Sequence, residues 1–455
     1  MHDSSIGQAP GAASGERVSR RRTLKTIAAL AGGTLLPSLS FAADKGYRFP
    51  QGFLWGAATA GHQVEGDNFA SDAWLLENVK PTIFAEPSGA GVDHYRLYAE
   101  DIAMLASLGL NSFRFSIEWA RIEPEEGMFS VAGIEHYRDV LKACQKYKVK
   151  AVVSFNHFIT PRWFAGRGGW EVEGAAQLFA RYCTKVAQEL GSLMTVATTF
   201  NEPNLPRLLF GIPGPLSGMT GIPPEKAMLA AAGERAGTGK FSSWIFGDFN
   251  KIEAGLLEGH RLGYQAIKAA CPKLPVGLSL AIADDQAVGD PAMRDRKRAI
   301  AYEPWFKALS ENGDFVGVQT YTRALVSPEG EQPPPAGARL TTNGMEFWPE
   351  ALGATIRYTA SRTKLPIYVT ENGVSVTDDK QREEYIQRAL KSVADCMRDG
   401  IDVRGYLHWS LLDNFEWIFG YKPTFGLVAV DRTTMRRTIK PSARLLGAIA
   451  RKNGI

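Results

Sequence analysis

Eight short apolar runs recur between residues 53 and 408, and this repetition limits the fold more than any other feature of the chain. They are Phe53–Thr59, Ser112–Ile117, Ala151–Phe155, Thr195–Phe200, Pro275–Leu280, Phe315–Gln319, Leu365–Thr370 and Val403–His408. Helical periodicity fills the stretches between them. Leu97–Leu108 carries Ile102, Leu105 and Leu108 at helical spacing, with Gly109 where a helix would stop. Ile386, Leu390, Val393, Ala394 and Met397 make a second stripe that ends at Gly400, and Leu445, Leu446 and Ile449 mark a last helix. From Tyr47 onward there is no linker, charge block or heptad array. Strands separated by helices pair in parallel. The expected fold is therefore α/β, a single (β/α)8 TIM barrel with long loops after its strands. A doubly wound sheet would want a glycine-rich phosphate turn after its first strand. Gly52, Gly56 and Gly61 do not form GxGxxG, and no GxxxxGK[ST] occurs.

In such a barrel the chemistry sits just beyond the C-terminal ends of the strands. The unusual polar residues fall there. His62, Gln63 and Glu65 follow the first run, Arg114 and Glu118 lie in or after the second, and Asn156-His157 follow the third. Asn201-Glu202-Pro203 follows the fourth, Thr320-Tyr321 the sixth, and Glu371-Asn372-Gly373 the seventh. The eighth leads into His408-Trp409 and then Asp413-Asn414-Phe415-Glu416-Trp417. A single polar residue at a strand end is commonly a cap or a loop ion pair. Seven strand ends converging on one mouth point to a site.

Glu202 and Glu371 stand out, since each follows a strand and the two strands lie across the barrel from each other. Hydrolysis of a glycosidic bond needs such a pair, one carboxyl to protonate the leaving oxygen and the other to attack or to activate water. Their surroundings must differ so that their pKa values differ. Arg114 and Tyr321 are suited to hold Glu371 ionised, while Glu202 needs a drier, less positive site. Gln63, His157, Asn201 and Glu416 offer donors and acceptors for vicinal hydroxyls, and Trp409 and Trp417 offer flat faces for a pyranose. Glu416, an anion, would repel a phosphorylated sugar.

These residues sit in motifs that resemble the retaining β-glycosidases of glycoside hydrolase family 1 over residues 47–452. Phe53-Leu54-Trp55-Gly56-Ala57-Ala58-Thr59-Ala60-Gly61-His62-Gln63-Val64-Glu65-Gly66 is similar to the family's N-terminal signature. Arg114-Phe115-Ser116-Ile117-Glu118-Trp119-Ala120-Arg121-Ile122 is similar to its second-strand block. Thr199-Phe200-Asn201-Glu202-Pro203 and Val369-Thr370-Glu371-Asn372-Gly373 resemble the acid/base and nucleophile motifs, and the stretch from Gly405 to Leu427 the C-terminal sugar-binding block. The resemblance implies Glu202 as acid/base, Glu371 as nucleophile, and Arg114 and Tyr321 as its supports. It implies Asn201 at the 2-hydroxyl, Gln63, His157 and Trp417 at the far hydroxyls, Glu416 at the 4- and 6-hydroxyls, and Trp409 as stacking platform. It implies no metal and no cofactor. The expected activity is that of a β-glucosidase releasing non-reducing terminal β-D-glycosyl residues by double displacement, with a small-molecule β-glycoside as partner. Transglycosylation and β-galactosidase or β-fucosidase action use the same site. A sugar-binding protein with lapsed catalysis would be expected to have lost Glu202 or Glu371.

Several stretches depart from the family pattern. The sixth strand leads through Gly317-Val318-Gln319-Thr320-Tyr321-Thr322, where Tyr321 is kept and its neighbours differ, and Thr424 stands at a commonly basic position. Leu205–Ser243 and Ser327–Ala338, both rich in Gly or Pro, are unlike the usual aglycone wall.

Ser19-Arg20-Arg21-Arg22-Thr23-Leu24-Lys25, the apolar run Thr26–Leu36 and Ser40-Phe41-Ala42 resemble a twin-arginine signal peptide over residues 1–42. The expectation is a catalytic domain over 43–455, exported to the periplasm or beyond, with cleavage after Ala42. That run is shorter than the ~18 apolar residues of a membrane span, so no stable membrane insertion is expected. The whole chain carries 52 Lys and Arg against 48 Asp and Glu, a formal charge of +4. The first 42 residues hold Arg17, Arg20, Arg21, Arg22 and Lys25 against Asp3 and Glu16, which leaves 47 against 46 in the remainder. A near-neutral barrel does not suit a nucleic-acid partner. Cys144, Cys183, Cys271 and Cys396 show neither a CxxC nor zinc spacing and read as isolated thiols in helices or at strand starts.

Overall fold

The computed structural model describes residues 46–216 and 222–455. The signal segment expected over 1–42 lies outside them. Gly46–Ile455 is one compact unit. Eight parallel strands close into a barrel: β1 Leu54–Ala58, β2 Ser112–Ser116, β3 Lys150–Asn156, β4 Val196–Asn201, β5 Val276–Ala281, β6 Phe315–Gln319, β7 Ile367–Asn372 and β8 Val403–Trp409. Their order around the barrel follows the chain, and β1 closes it by pairing with both β2 and β8. This is the (β/α)8 barrel expected from the alternation. Every expected run is a strand, with its ends moved by no more than two residues.

Period-two alternation sorts the side chains. On β2, Phe113 and Phe115 face outward into the core shared with the helices, while Ser112, Arg114 and Ser116 point inward. Leu54, Val152, Val196, Phe315, Tyr368 and Leu407 form a separate apolar cluster that fills the barrel floor. Outside, helices such as Val131–Lys146 lay an apolar stripe on the strands: Ile134, Tyr137, Val140, Leu141 and Cys144 are buried. Ser130 caps that helix by accepting from the Gly133 amide at 3.0 Å. The helix Asp379–Arg398 buries Ile386, Leu390, Val393 and Ala394. Truncating one of these side chains, as in Ile386→Ala, should cost about 2–5 kcal/mol. Gly109 and Gly400 follow their helices with φ +94° and +87°, the left-handed stop that glycine makes without strain.

Two strands break the alternation where it matters. From Thr198 to Asn201, β4 advances three residues while β5 advances two, Gly277 to Ser279. From Val369 to Glu371, β7 advances two while β6 advances one, Val318 to Gln319. Each strand thus holds one extra residue, a bulge that re-aims the side chains beyond it. On β4, Thr198 points inward to Ser154 (3.0 Å). Thr199 and Phe200 both point outward, to His260 (2.8 Å) and against Phe179 (centroids 4.5 Å apart). Asn201 is thereby returned to the interior. Gly373 follows the second bulge, and a Cβ there would lie 1.9 Å from the Trp409 carbonyl oxygen. Only glycine lets β7 end so close to β8.

Part of the long segment after β4 packs against the loops that follow β1 and β8. Its helix Pro223–Arg235 places Met228 and Ala232 against Leu75, Leu76, Val79, Phe84 and Phe415. All four cysteines are unpaired. Cys144, Cys183 and Cys396 are buried within helices, and Cys271, partly buried, follows a helix end rather than opening a strand. Burial pushes the Cys144 thiol up to about 12 and Cys396 to about 11, which leaves both unreactive. Among the described residues no helix is long and apolar enough to cross a membrane.

Candidate active site

At the end of β4, Glu202 holds its backbone at φ +43°, a left-handed conformation unusual for a residue with a side chain. Its amide donates to the Ser279 carbonyl at 2.7 Å and its carbonyl accepts from the Leu205 amide at 3.0 Å, which pins the turn. Such strain costs on the order of 1–3 kcal/mol and persists where surrounding structure imposes it. Phe158 (φ +71°) and Trp417 (φ +53°) share this conformation at the same mouth. Glu202 is 8 % exposed, and no described side chain hydrogen-bonds its carboxyl. Burial, with the nearby charge of Glu371, pushes that carboxyl well above the usual range, against a smaller opposing pull from Arg114. These surroundings favour the protonated form of Glu202.

Glu371, across the barrel on β7, is also buried but differently furnished. Its Oε1 accepts from Arg114 Nη1 at 2.5 Å and its Oε2 from the Tyr321 hydroxyl at 2.5 Å. Arg114 itself is fully buried on β2. Burial raises the Glu371 carboxyl, and Arg114, Tyr321 and Gln319 pull it back only in part, so it stays raised, though less than Glu202. Burial and both glutamates push the Tyr321 phenol well above its ordinary value, so it stays a donor. The Tyr385 hydroxyl fixes Tyr321 by donating to its carbonyl at 2.8 Å. Where two carboxyls share one buried charge, it resides on the one that a guanidinium and a phenol contact. That one is Glu371.

Asn201 links the two sides. Its Oδ1 accepts from Arg114 Nη2 at 2.5 Å and from Gln319 Nε2 at 2.8 Å, and its Nδ2 lies 3.2 Å from His157 Nε2. Burial and Arg114 hold His157 well below the ordinary imidazole value, so its ring is neutral. Gln63 Nε2 donates to Asn414 Oδ1 (3.0 Å) and to the Phe415 carbonyl (2.7 Å). Gln63 Oε1 and His157 Nδ1 are buried polar atoms without a partner among the described residues. Trp409 Nε1 donates to Glu416 Oε1 at 3.3 Å, and loss of water pushes the Glu416 carboxyl well up. The rings form a near-parallel series. His157 lies 5.7 Å from Trp409 at 15° and 6.2 Å from Trp417 at 14°.

The structure therefore gathers Gln63, Arg114, His157, Asn201, Glu202, Tyr321, Glu371, Trp409, Glu416 and Trp417 at one end of the barrel. Gln319, in sequence only a departure from the family pattern, proves to tether Asn201 and to act on Glu371. The aromatic wall of Phe158 and Trp244, stacked 4.5 Å apart at 23°, carries no motif. Phe158 in turn meets Trp417 at 5.3 Å. Among the described residues no group of three or more His, Cys, Asp or Glu could hold a metal ion.

A buried acid facing an ionised, cation-held carboxylate at a barrel mouth, beside aromatic faces and free hydroxyl partners, defines a glycoside hydrolase. The glycosyl hydrolase family 1 model matches residues 45–212 and 305–455, and the chain belongs to that family. A β-glucosidase of Agrobacterium sp. is 30 % identical, covering 89 % of this chain and 95 % of its own. Two solved structures are more similar. The apo structure of β-glucosidase 1317 is 48 % identical with a TM-score of 0.85, covering 88 % of this chain and 98 % of its own. A β-glycosidase crystal structure is 50 % identical with a TM-score of 0.84, covering 89 % and 97 %. The stretch 213–304, unmatched by the family model, includes most of the segment after β4 that departs from the pattern in sequence.

Proposed function

We propose that the chain is a retaining β-glucosidase in which Glu371 is the nucleophile and Glu202 the general acid/base. The contrast between the two carboxyls carries this reading: one has two short hydrogen bonds from a cation and a phenol, the other has none. Glu371 attacks the anomeric carbon while Glu202 protonates the departing oxygen. Forming the glycosyl ester removes the Glu371 charge, and with it one of the two influences that raise Glu202. Its pKa then falls, and Glu202 can take a proton from the incoming water. Arg114 and Tyr321 hold the nucleophile's two oxygens.

The unpaired Gln63 Oε1 and His157 Nδ1 support a polyhydroxylated ligand, since sugar hydroxyls would give these buried atoms the partners they lack. Asn201, steadied by Arg114 and Gln319, serves the 2-hydroxyl, Glu416 the 4- and 6-hydroxyls, and Trp409 and Trp417 the ring. β-Galactosides and β-fucosides are side substrates of the same site, and transfer to an acceptor competes with water. Purified chain is to be assayed on a panel of aryl β-glycosides. Release fastest from the β-glucoside is expected. Absence of turnover across the panel would refute the reading.

Arg20-Arg21-Arg22 and the apolar run after them support export through a twin-arginine route, with cleavage after Ala42. Arg20→Lys with Arg21→Lys should retain the protein in the cytoplasm of an expressing bacterium, and unchanged export would refute that.

A further inference from the structure

Glu416 and Trp417 stand on a tight turn in the loop after β8. The Glu416 amide donates to the Gly420 carbonyl at 2.7 Å, and the Gly420 amide donates back to the Trp417 carbonyl at 3.0 Å. Both Trp417 (φ +53°) and Gly420 (φ +63°) lie in the left-handed region. A residue with a side chain keeps that conformation only where its surroundings impose it.

The stretch Ala85–Ser88, between β1 and β2, supplies those surroundings. The Ala85 amide donates to the Ile418 carbonyl at 3.0 Å. The Tyr421 amide donates to Glu86 Oε1 at 2.9 Å, and the Tyr421 hydroxyl donates to the Ser88 carbonyl at 2.6 Å. Ser88 is itself fixed by Glu77 Oε2, which accepts from its amide at 2.8 Å and from its hydroxyl at 2.7 Å. A Cβ on Gly420 would lie 2.6 Å from Glu86 Cγ and 2.6 Å from Glu86 Oε1, so the turn runs directly against the Glu86 side chain.

Arg432 closes this clamp from the other side. It follows the strand Val428–Asp431, which pairs with Arg436–Ile439. Its guanidinium carbon lies 3.3 Å from the centroid of the Tyr421 ring, and its Nη1 lies 3.5 Å from Glu86 Oε2. The Glu86 and Arg432 side chains are 43 % and 40 % exposed, and an ion pair so open to water adds little by itself. Glu86 instead supplies a charged acceptor to a main-chain amide, and Arg432 covers the Tyr421 ring. That ring also packs on Phe415 at 5.4 Å, and the Phe415 carbonyl accepts from Gln63 in the sugar site. Neither Glu86 nor Arg432 falls in a motif that resembles the family.

We propose that Glu86 is a positioning residue for the glycone: its carboxylate holds the Tyr421 amide and so fixes the turn that presents Glu416 and Trp417 to the sugar. The partners of Glu86 are Tyr421 and Arg432, not Glu202 or Glu371. It therefore sets the hold on the 4- and 6-hydroxyls rather than the rate of the two displacement steps. This rests on Glu416 and Trp417 binding the glycone.

The test follows KM and kcat for 4-nitrophenyl β-D-glucoside, and for the β-D-xyloside that lacks the 6-hydroxyl, in the wild type, Glu86→Ala and Glu86→Gln. Glu86→Ala should raise KM for the glucoside about two- to tenfold, the range of a single hydrogen bond, with kcat little changed. KM for the xyloside should rise less, so the preference for the glucoside falls. Glu86→Gln keeps an oxygen that accepts from the Tyr421 amide and should restore KM to within about twofold of the wild type. Any of three results would overturn the proposal: an unchanged preference in a folded Glu86→Ala, a fall in kcat as large as the rise in KM, or a Glu86→Gln as impaired as Glu86→Ala. Should Glu86→Ala not fold, Tyr421→Phe, which loses only the hydroxyl bond to Ser88, carries the same prediction for KM and preference, and an unchanged preference there overturns the proposal. A wild type inert on both sugars, or a Glu416→Ala variant with the wild-type preference, would instead overturn the reading of the site on which the proposal rests.

Discussion

The ends of β4 and β7 each present a buried glutamate to the same space, and the two differ in almost everything else. Glu371 is held by Arg114 and Tyr321, with Gln319 in support. Glu202 has burial, a neighbouring negative charge and a strained backbone, with no hydrogen bond to its carboxyl from a described residue. Residue type and position on the fold are therefore not what assigns their roles. On the proposed reading, what assigns them is which carboxyl the barrel interior supplies with donors, and the supply comes from β2 and from the end of β6 and the residues just after it, far away in sequence. A barrel that furnished both alike would hold two carboxyls competing for one proton with no preference between them.

The largest break in this asymmetry is loss of the furnished carboxyl. Glu371→Ala should lower kcat/KM by at least about a thousandfold, roughly 4 kcal/mol of transition-state stabilisation. Added azide should restore turnover with the product anomer inverted, because the small anion attacks from the vacated side. Glu202→Ala comes next. Release of a poor leaving group should fall about 10²–10⁴-fold, while a dinitrophenyl glucoside, which needs no protonation to depart, should lose far less in the first step. The ratio between the two substrates is the readout.

The pH profile sharpens the comparison without a mutation. Glu371 must be ionised, so activity is lost as pH falls through its pKa. Glu202 must be protonated, so activity is lost as pH rises through its own pKa, which is raised further. The kcat/KM profile should be a bell whose limbs belong to the pair, and Glu202→Ala should abolish the basic limb. Tyr321→Phe removes one donor from Glu371. It should cost about ten- to a hundredfold, the worth of a hydrogen bond to a charged group, and move the acid limb to higher pH. Gln319→Leu, which frees Asn201 on one side, should cost about two- to tenfold, with the largest loss on substrates that carry a 2-hydroxyl.

Much of this is legible in the sequence. Strand positions follow from short apolar runs, because a buried parallel strand can be little else, and the polar residues at their ends locate the mouth. The bulges are not legible. Thr198 to Asn201 and Val369 to Glu371 read as ordinary strand, since one extra residue leaves no trace in composition. Yet those two residues decide which side chains enter the barrel. Gln319 carries no signal of its own because a lone amide at a strand end resembles a capping residue, and only its 2.8 Å contact with Asn201 distinguishes it. The stacking of Phe158 on Trp244 joins residues far apart in sequence, and Trp244 lies in the stretch the family model does not match. The left-handed turn at Glu202 has a sequence hint in the proline after it, which disfavours right-handed helix at the residue before it, but the hint does not give the sign of φ.

The asymmetry of the two carboxyls is tested most directly by trapping. A 2-deoxy-2-fluoro-β-glucosyl fluoride slows both steps but departs readily without acid help, so the glycosyl ester should accumulate. Digestion and mass spectrometry should place a single fluoroglucosyl group on the peptide containing Glu371, with inactivation proceeding in step. A label on Glu202, or inactivation with Glu371 unmodified, would contradict the assignment.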